Sequence, residues 1–219
     1  MTTKDLSLTH LIRPSSLSGK APLILMLHGY GSDEHDLFSF AGELPSEYVI
    51  ISLKAPNALQ PMGNAWYAIN FDAQKGKFSD VEQAIHSREL VKTFIGEALE
   101  SYPVDPENLT LLGFSQGTIL SFALALSYPE LIKNVVGLSG YIDPNMLKAG
   151  YEKNDFSHLN VYNSHGSVDQ VIPVEWARNN KPFLKNLSID MTYEEYPVGH
   201  GINPQNFQSF RNWLEQHND

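Results

Sequence analysis

Short apolar runs alternate with helical patterns along almost the whole chain. Runs of four to six residues at Leu23–Leu27, Tyr48–Leu53, Leu109–Leu112, Val135–Leu138, Leu159–Tyr162 and Met191–Tyr196 predict strands. Between them lie segments of helical period. This alternation predicts an α/β fold, a mostly parallel central sheet with helices on both faces. Leu6–Ile12 alternates apolar and polar residues and predicts an antiparallel edge strand.

The clearest helix runs from about Asp80 to Ser101, with Val81, Ala84, Ile85, Val91, Ile95, Ala98, Leu99 and Tyr102 on one stripe. The segment after Ser115 is apolar nearly all round, which predicts a buried helix packed against the sheet. A last helix opens with Asn203 as N-cap and Pro204 at its first position, and should bury Phe207, Phe210 and Leu214. Pro182 should end or kink the helix that begins near Pro173. Asn57–Phe78 has no clear period. It is too long for a plain link and carries Met62, Trp66, Tyr67, Ile69 and Phe71, so it reads as a functional loop.

The 219 residues suit one domain spanning 1–219, and 42% hydrophobic residues are enough for a sizeable core. The net charge of -10 repels phosphate backbones and anionic headgroups, so nucleic acid is not expected as a partner. No cysteine is present, which removes disulfides, thiolate metal sites and cysteine nucleophiles. Met1 to Lys20 lacks a signal pattern, and Leu23–Leu27 is far too short to span a bilayer. A cytoplasmic chain without stable membrane insertion is the expectation.

Candidate chemistry begins at Gly113-Phe114-Ser115-Gln116-Gly117. This G-x-S-x-G sequence follows a predicted strand and precedes the buried helix, the setting of a nucleophile elbow. A serine hydroxyl needs a base, and the imidazole needs an orienting carboxylate. In α/β-hydrolase folds the order is serine, acid, histidine. His158, His165, His200 and His217 follow Ser115. His200 lies in a glycine-flanked loop between the last strand and the last helix, and is the expected base. Asp169, just beyond the strand Leu159–Tyr162, is the expected acid. Asp143 is its rival, with an alternative role as a helix N-cap before Pro144. His165 could be a structural histidine of the Asp169 turn.

Acyl transfer also needs N–H donors for the oxyanion. The expected pair is the backbone N–H of Gln116 and that of Tyr30, in His28-Gly29-Tyr30-Gly31-Ser32 after the first long strand. A metal reading of His28, Asp33, Glu34 and His35 lacks a recognisable ligand spacing, so no metal is expected.

Four motifs in order resemble the phospholipase/carboxylesterase family, which includes acyl-protein thioesterases and bacterial carboxylesterases. They are Leu27–Asp33, Gly113–Gly117, His165–Asp169 with Ile172-Pro173, and Gly199-His200-Gly201. The resemblance runs from about Leu23 to the C-terminus. It implies a triad of Ser115, Asp169 and His200, no cofactor, and small-molecule esters or thioesters of short acyl groups as substrates. Two departures stand out. Thr118 takes a position that is glycine in the thioesterase-like members, which should alter packing and not the triad. Gly201-Ile202 after the histidine is similar to the bacterial carboxylesterase-like members.

About twenty residues separate the strands ending at Leu138 and starting at Leu159, too few for a large cap domain. The site should therefore be open, with walls from Met62, Trp66, Tyr67, Ile172 and Ile202, and further from Ile142 and Met146. An amidase or peptidase using the same triad, and a non-catalytic binding protein on this fold, are the competing readings. Acyl length and oligomeric state stay open.

Overall fold

The computed structural model describes residues 2–72 and 76–218, with side chains outside 71–78. In chain order its strands are β1 (His10–Arg13), β2 (Ala21–Leu27), β3 (Val49–Leu53), β4 (Asn57–Ala58), β5 (Asn64–Ala65), β6 (Ile69–Asp72), β7 (Gly76–Ser79), β8 (Val104–Phe114), β9 (Asn134–Leu138), β10 (Asn160–Gly166) and β11 (Met191–Tyr196). Seven form the main sheet in the order β1-β3-β2-β8-β9-β10-β11. Every pairing is parallel except β1 with β3, so the antiparallel edge expected near the N-terminus is there. It starts at His10, later than the alternation from Leu6 predicted.

The central strands are buried from end to end because both sheet faces are covered. Leu23, Leu25 and Leu27 of β2 face one core layer, together with α2 (Val81–Ser101) and α3 (Gln116–Ser127). Ile24 and Met26 face the other, with α1 (His35–Phe38) and α6 (Pro204–Gln216). This is the period of two expected of a strand buried on both sides.

The helices follow their capping signals. Asp80 accepts the Gln83 N–H at the start of α2 (3.0 Å), and Asn203 accepts that of Asn206 at the start of α6 (2.8 Å). All twelve residues of α3 are buried. The helix expected after Pro173 is split into α4 (Val174–Arg178) and α5 (Asn180–Asn186), with Pro182 in the first turn of α5. Pro182 cannot donate to the Arg178 carbonyl and its ring crowds that oxygen, so the break falls there.

Asn57–Phe78 is not an irregular loop. β4 pairs with β5 and β6 with β7 in two small antiparallel hairpins. The Phe71 side chain lies outside the described residues. Between Leu138 and Leu159 there are only two short 3-10 turns, Pro144–Met146 and Tyr151–Lys153, and no cap domain.

From β2 the chain first crosses to β3 on one side and later to β8 on the other. The carboxyl ends of β2 and β8 therefore flank a topological switch point, where ligands bind in open α/β sheets.

Candidate active site

Ser115 sits at the tip of the β8–α3 turn with φ 54 and ψ -116, a conformation that non-glycine residues rarely adopt. The surroundings hold it there. A Cβ on Gly113 would lie 2.6 Å from the Gly117 backbone, and one on Gly117 would lie 1.9 Å from the Leu27 carbonyl oxygen. Only glycines let strand, turn and helix approach this closely. The Ser115 N–H donates to Leu138 O (2.8 Å), which ties the elbow to β9.

Thr118 adds a second tie. Its Oγ1 lies 2.7 Å from both Gly113 O and Leu138 O and accepts the Leu138 N–H (2.9 Å). Its side chain fills the space beside Gly137 and Gly140, where a Cβ would come within 2.8 and 2.5 Å of it. The threonine thus acts on packing around the elbow, and its hydroxyl bonds the backbone of Gly113 and Leu138.

Ser115 Oγ–H donates to His200 Nε2 (2.9 Å), and His200 Nδ1–H donates to Asp169 Oδ2 (2.6 Å). The acid and base loops meet because Gly166 has no side chain: a Cβ there would lie 2.1 Å from Gly199 O. The other carboxylate oxygen, Oδ1, accepts the N–H groups of Val171 (2.7 Å) and Ile172 (3.0 Å). Burial alone would push the Asp169 carboxyl up. The bonds from His200, Ile172 and Val171 outweigh it and hold the group below the ordinary carboxylate range.

His165 is fully buried behind this carboxylate. Its Nε2–H donates to Ile172 O (2.9 Å) and lies 3.2 Å from Asp169 Oδ2. Asp143 lines the cleft above Ser115 but makes no hydrogen bond to His200. Its Oδ1 accepts the backbone N–H (3.0 Å) and side-chain amide (2.9 Å) of Asn145, the N-cap role that its position before Pro144 suggested.

Gln116 opens α3, so its backbone N–H belongs to the first turn and has no intrahelical acceptor. The turn after β2 runs alongside. A Cβ on Gly29 would lie 3.4 Å from Ser115 Cβ, which sets Tyr30 at the mouth of the site. His28 is turned away from solvent. Its Nδ1–H donates to Gly29 O (2.7 Å) and its Nε2 accepts the Ala55 N–H (3.1 Å). It is not available to Asp33, Glu34 and His35, whose ligand atoms lie within 4.8 Å of one another on the surface turn.

The cleft above Ser115 encloses about 380 Å³. Tyr67 and Ile172 line it as expected, and Tyr30, Ile119, Tyr141 and Trp176 join them. Five expected wall residues are placed differently. Met62 is 79% exposed and points to solvent from a hairpin turn. Trp66 is fully buried beneath the floor: its Nε1–H donates to His28 O (2.9 Å) and its N–H to Gln116 Oε1 (2.8 Å). Ile202 turns toward Phe40 and Phe207 in a separate groove. Ile142 and Met146 are packed in the core. Trp176 carried no strand or motif signal. It reaches the cleft by stacking edge-on against Tyr141, with centroids 4.9 Å apart.

The profile of the family described as Phospholipase/Carboxylesterase matches residues 13–218. The chain belongs to that family. A probable carboxylesterase, SOBER1-like, from Arabidopsis thaliana is 32% identical over 52% of this chain, but the match spans only 44% of that plant protein. Acyl-protein thioesterase 1 of Mycosarcoma maydis is 25% identical over 95% of this chain and 96% of its own length. Among solved structures, esterase PE8 superposes with a TM-score of 0.82 at 23% identity, covering 97% of this chain and all of that one. The Bacillus cereus carboxylesterase gives 0.80 at 21%, covering 96% and 94%. These likenesses establish the α/β-hydrolase fold for this member of the phospholipase/carboxylesterase family. Among the described residues no helix is long and apolar enough to cross a membrane.

Proposed function

We propose that the protein is a serine hydrolase that cleaves carboxylic esters or thioesters of small to medium acyl groups through an acyl-enzyme at Ser115. The observation that carries this reading is the unbroken line Ser115–His200–Asp169 at the base of a largely apolar cleft.

Ser115 Oγ attacks the substrate carbonyl carbon while His200 Nε2 takes the hydroxyl proton. Asp169 stays ionised, keeps the Nδ1–H tautomer in place and stabilises the imidazolium that forms. The carbonyl oxygen becomes an oxyanion, held by the N–H groups of Tyr30 and Gln116, each worth about 3–4 kcal/mol in such sites. Collapse expels the alcohol or thiol, which leaves with the proton from His200. Water then attacks the acyl-enzyme with His200 again as base, the acid departs and Ser115 regains its proton. Ile119, Ile172 and Trp176 give an apolar surface for the acyl chain.

A fluorophosphonate probe read by mass spectrometry, beside a panel of graded p-nitrophenyl esters, acyl-CoA thioesters and an anilide, tests the reading. Labelling at Ser115 with turnover of esters or thioesters is the expected result. Turnover retained within tenfold in Ser115→Ala would refute the assignment.

A further inference from the structure

One end of the cleft is not apolar. Tyr67, Ser79, Tyr141 and Asp143 meet on its wall. They come from three separate stretches: the turn after β5, the end of β7, and the loop after β9. Their meeting is therefore a product of the tertiary fold.

The Tyr67 side chain is 1% exposed, and its hydroxyl forms no well-aligned hydrogen bond among the described residues, although the Ser79 side chain lies close enough to interact with it. Buried hydroxyls in native proteins nearly always bond fully, so one left with a poorly aligned neighbour on a ligand cleft has capacity for a partner that comes and goes. The residue cannot swing out to find water. Gln116 Nε2–H holds its carbonyl (2.8 Å), and neighbouring Trp66 is locked into the core. Burial holds the phenol well above its ordinary value, with Tyr141 adding to the effect, Ser79 partly opposing it and Asp143 adding a little more, so it stays protonated at neutral pH. The Tyr141 phenol is raised in the same way, by burial and then by Asp143. Three hydroxyls and one carboxylate make this end rich in acceptors and negative in charge. No lysine or arginine balances it among the described lining residues.

We propose that this end of the cleft is a polar subsite for a hydrogen-bond-donating group of the substrate, a hydroxyl or an ammonium, on the same ester whose carbonyl reaches Ser115. The proposal rests on the hydrolase reading above. It narrows the substrates to esters with a polar, non-anionic end group and sets carboxylate-bearing esters at a disadvantage.

The test uses two matched series of esters with equal numbers of heavy atoms. One carries a terminal methyl, hydroxyl, ammonium or carboxylate on the acyl half. The other carries the same groups on the alcohol half. In one series the hydroxyl or ammonium ester should exceed the methyl ester in kcat/KM by about tenfold, with the carboxylate last. The series that responds tells which half enters the subsite. Tyr67→Phe should pull the hydroxyl-to-methyl ratio toward one with little change in melting temperature, because its hydroxyl forms no well-aligned hydrogen bond among the described residues. Asp143→Asn should collapse the ammonium-to-carboxylate ratio. A methyl preference in both series, or a polar preference that survives both substitutions, overturns the subsite while Ser115 still reacts with fluorophosphonate. If no ester turns over and Ser115 is not labelled, the hydrolase reading falls and the subsite with it.

Discussion

Trp66→Phe asks whether the centre of the β4–β7 segment supports the oxyanion loop or contacts the acyl chain. The substitution keeps an aromatic ring in a fully buried position but deletes the indole N–H that His28 O accepts at 2.9 Å. Leaving that buried carbonyl short of its donor costs about 1–3 kcal/mol. The unfilled part of the indole volume adds about 1 kcal/mol. A total of roughly 2–4 kcal/mol is a large share of a stability of about 5–15 kcal/mol. In a chain of this size it lowers the melting temperature by roughly 5–15 °C. Trp66→Ala would cost more and threatens the fold, so the phenylalanine variant is the informative one. Because Trp66 lies under the floor and ties His28 to Gln116, kcat/KM should fall for short and long acyl esters together. Thermal unfolding and the ester panel read the two effects side by side. A melting temperature within about 2 °C of wild type, with a changed ratio between short and long esters, would refute the anchoring role.

Asp169→Asn should cost about 10⁴ in kcat through loss of the imidazole orientation, and far more than Asp143→Asn; the reverse ranking in steady-state kinetics would name the wrong acid. Gly117→Ala drives a Cβ to 1.9 Å from Leu27 O, so the elbow must open and fluorophosphonate labelling of Ser115 should be lost. Gly96→Ala, on the exposed face of α2 with no atom within 4 Å of the new Cβ, should instead raise stability by about 0.5–1 kcal/mol in denaturant titrations. His28 and His165 are both buried and held below the ordinary histidine value of 6.5, by burial first. The unfolded chain binds protons as the pH falls through about 6.5 while these two groups in the folded protein do not. Stability should therefore drop between about pH 7 and 5, by up to about 1.4 kcal/mol per pH unit for each histidine. Urea midpoints that are flat or rise over that range would contradict their buried, neutral state.

The strands of the sheet and their burial on both faces were legible along the chain, while the strand order came from the structure. Strands buried on both sides are continuous apolar runs, and Leu23–Leu27 and Val135–Leu138 are such runs in the sequence as in the structure. Ser115, Asp169 and His200 were legible for a related reason. Each lies just past the carboxyl end of a strand, and the turns of Ser115 and Asp169 carry glycines required by backbone contacts under 3 Å at Gly113, Gly117 and Gly166. Such local constraints leave marks on local sequence. The cleft wall left none. Met62, Trp66 and Ile202 have the composition of wall residues, yet one faces solvent, one fills the space beneath His28 and one packs toward α6. The direction of a side chain in a hairpin or loop is set by what is packed around it. For Trp66 that is His28, 38 positions away, and Gln116, 50 positions away. The polar end formed by Tyr67, Ser79, Tyr141 and Asp143 likewise exists only because the chain crosses the sheet twice before those residues meet. Periodicity and turn chemistry act over a few residues and can be read in order; a cavity is the space left between distant segments, so its lining is decided only when those segments pack.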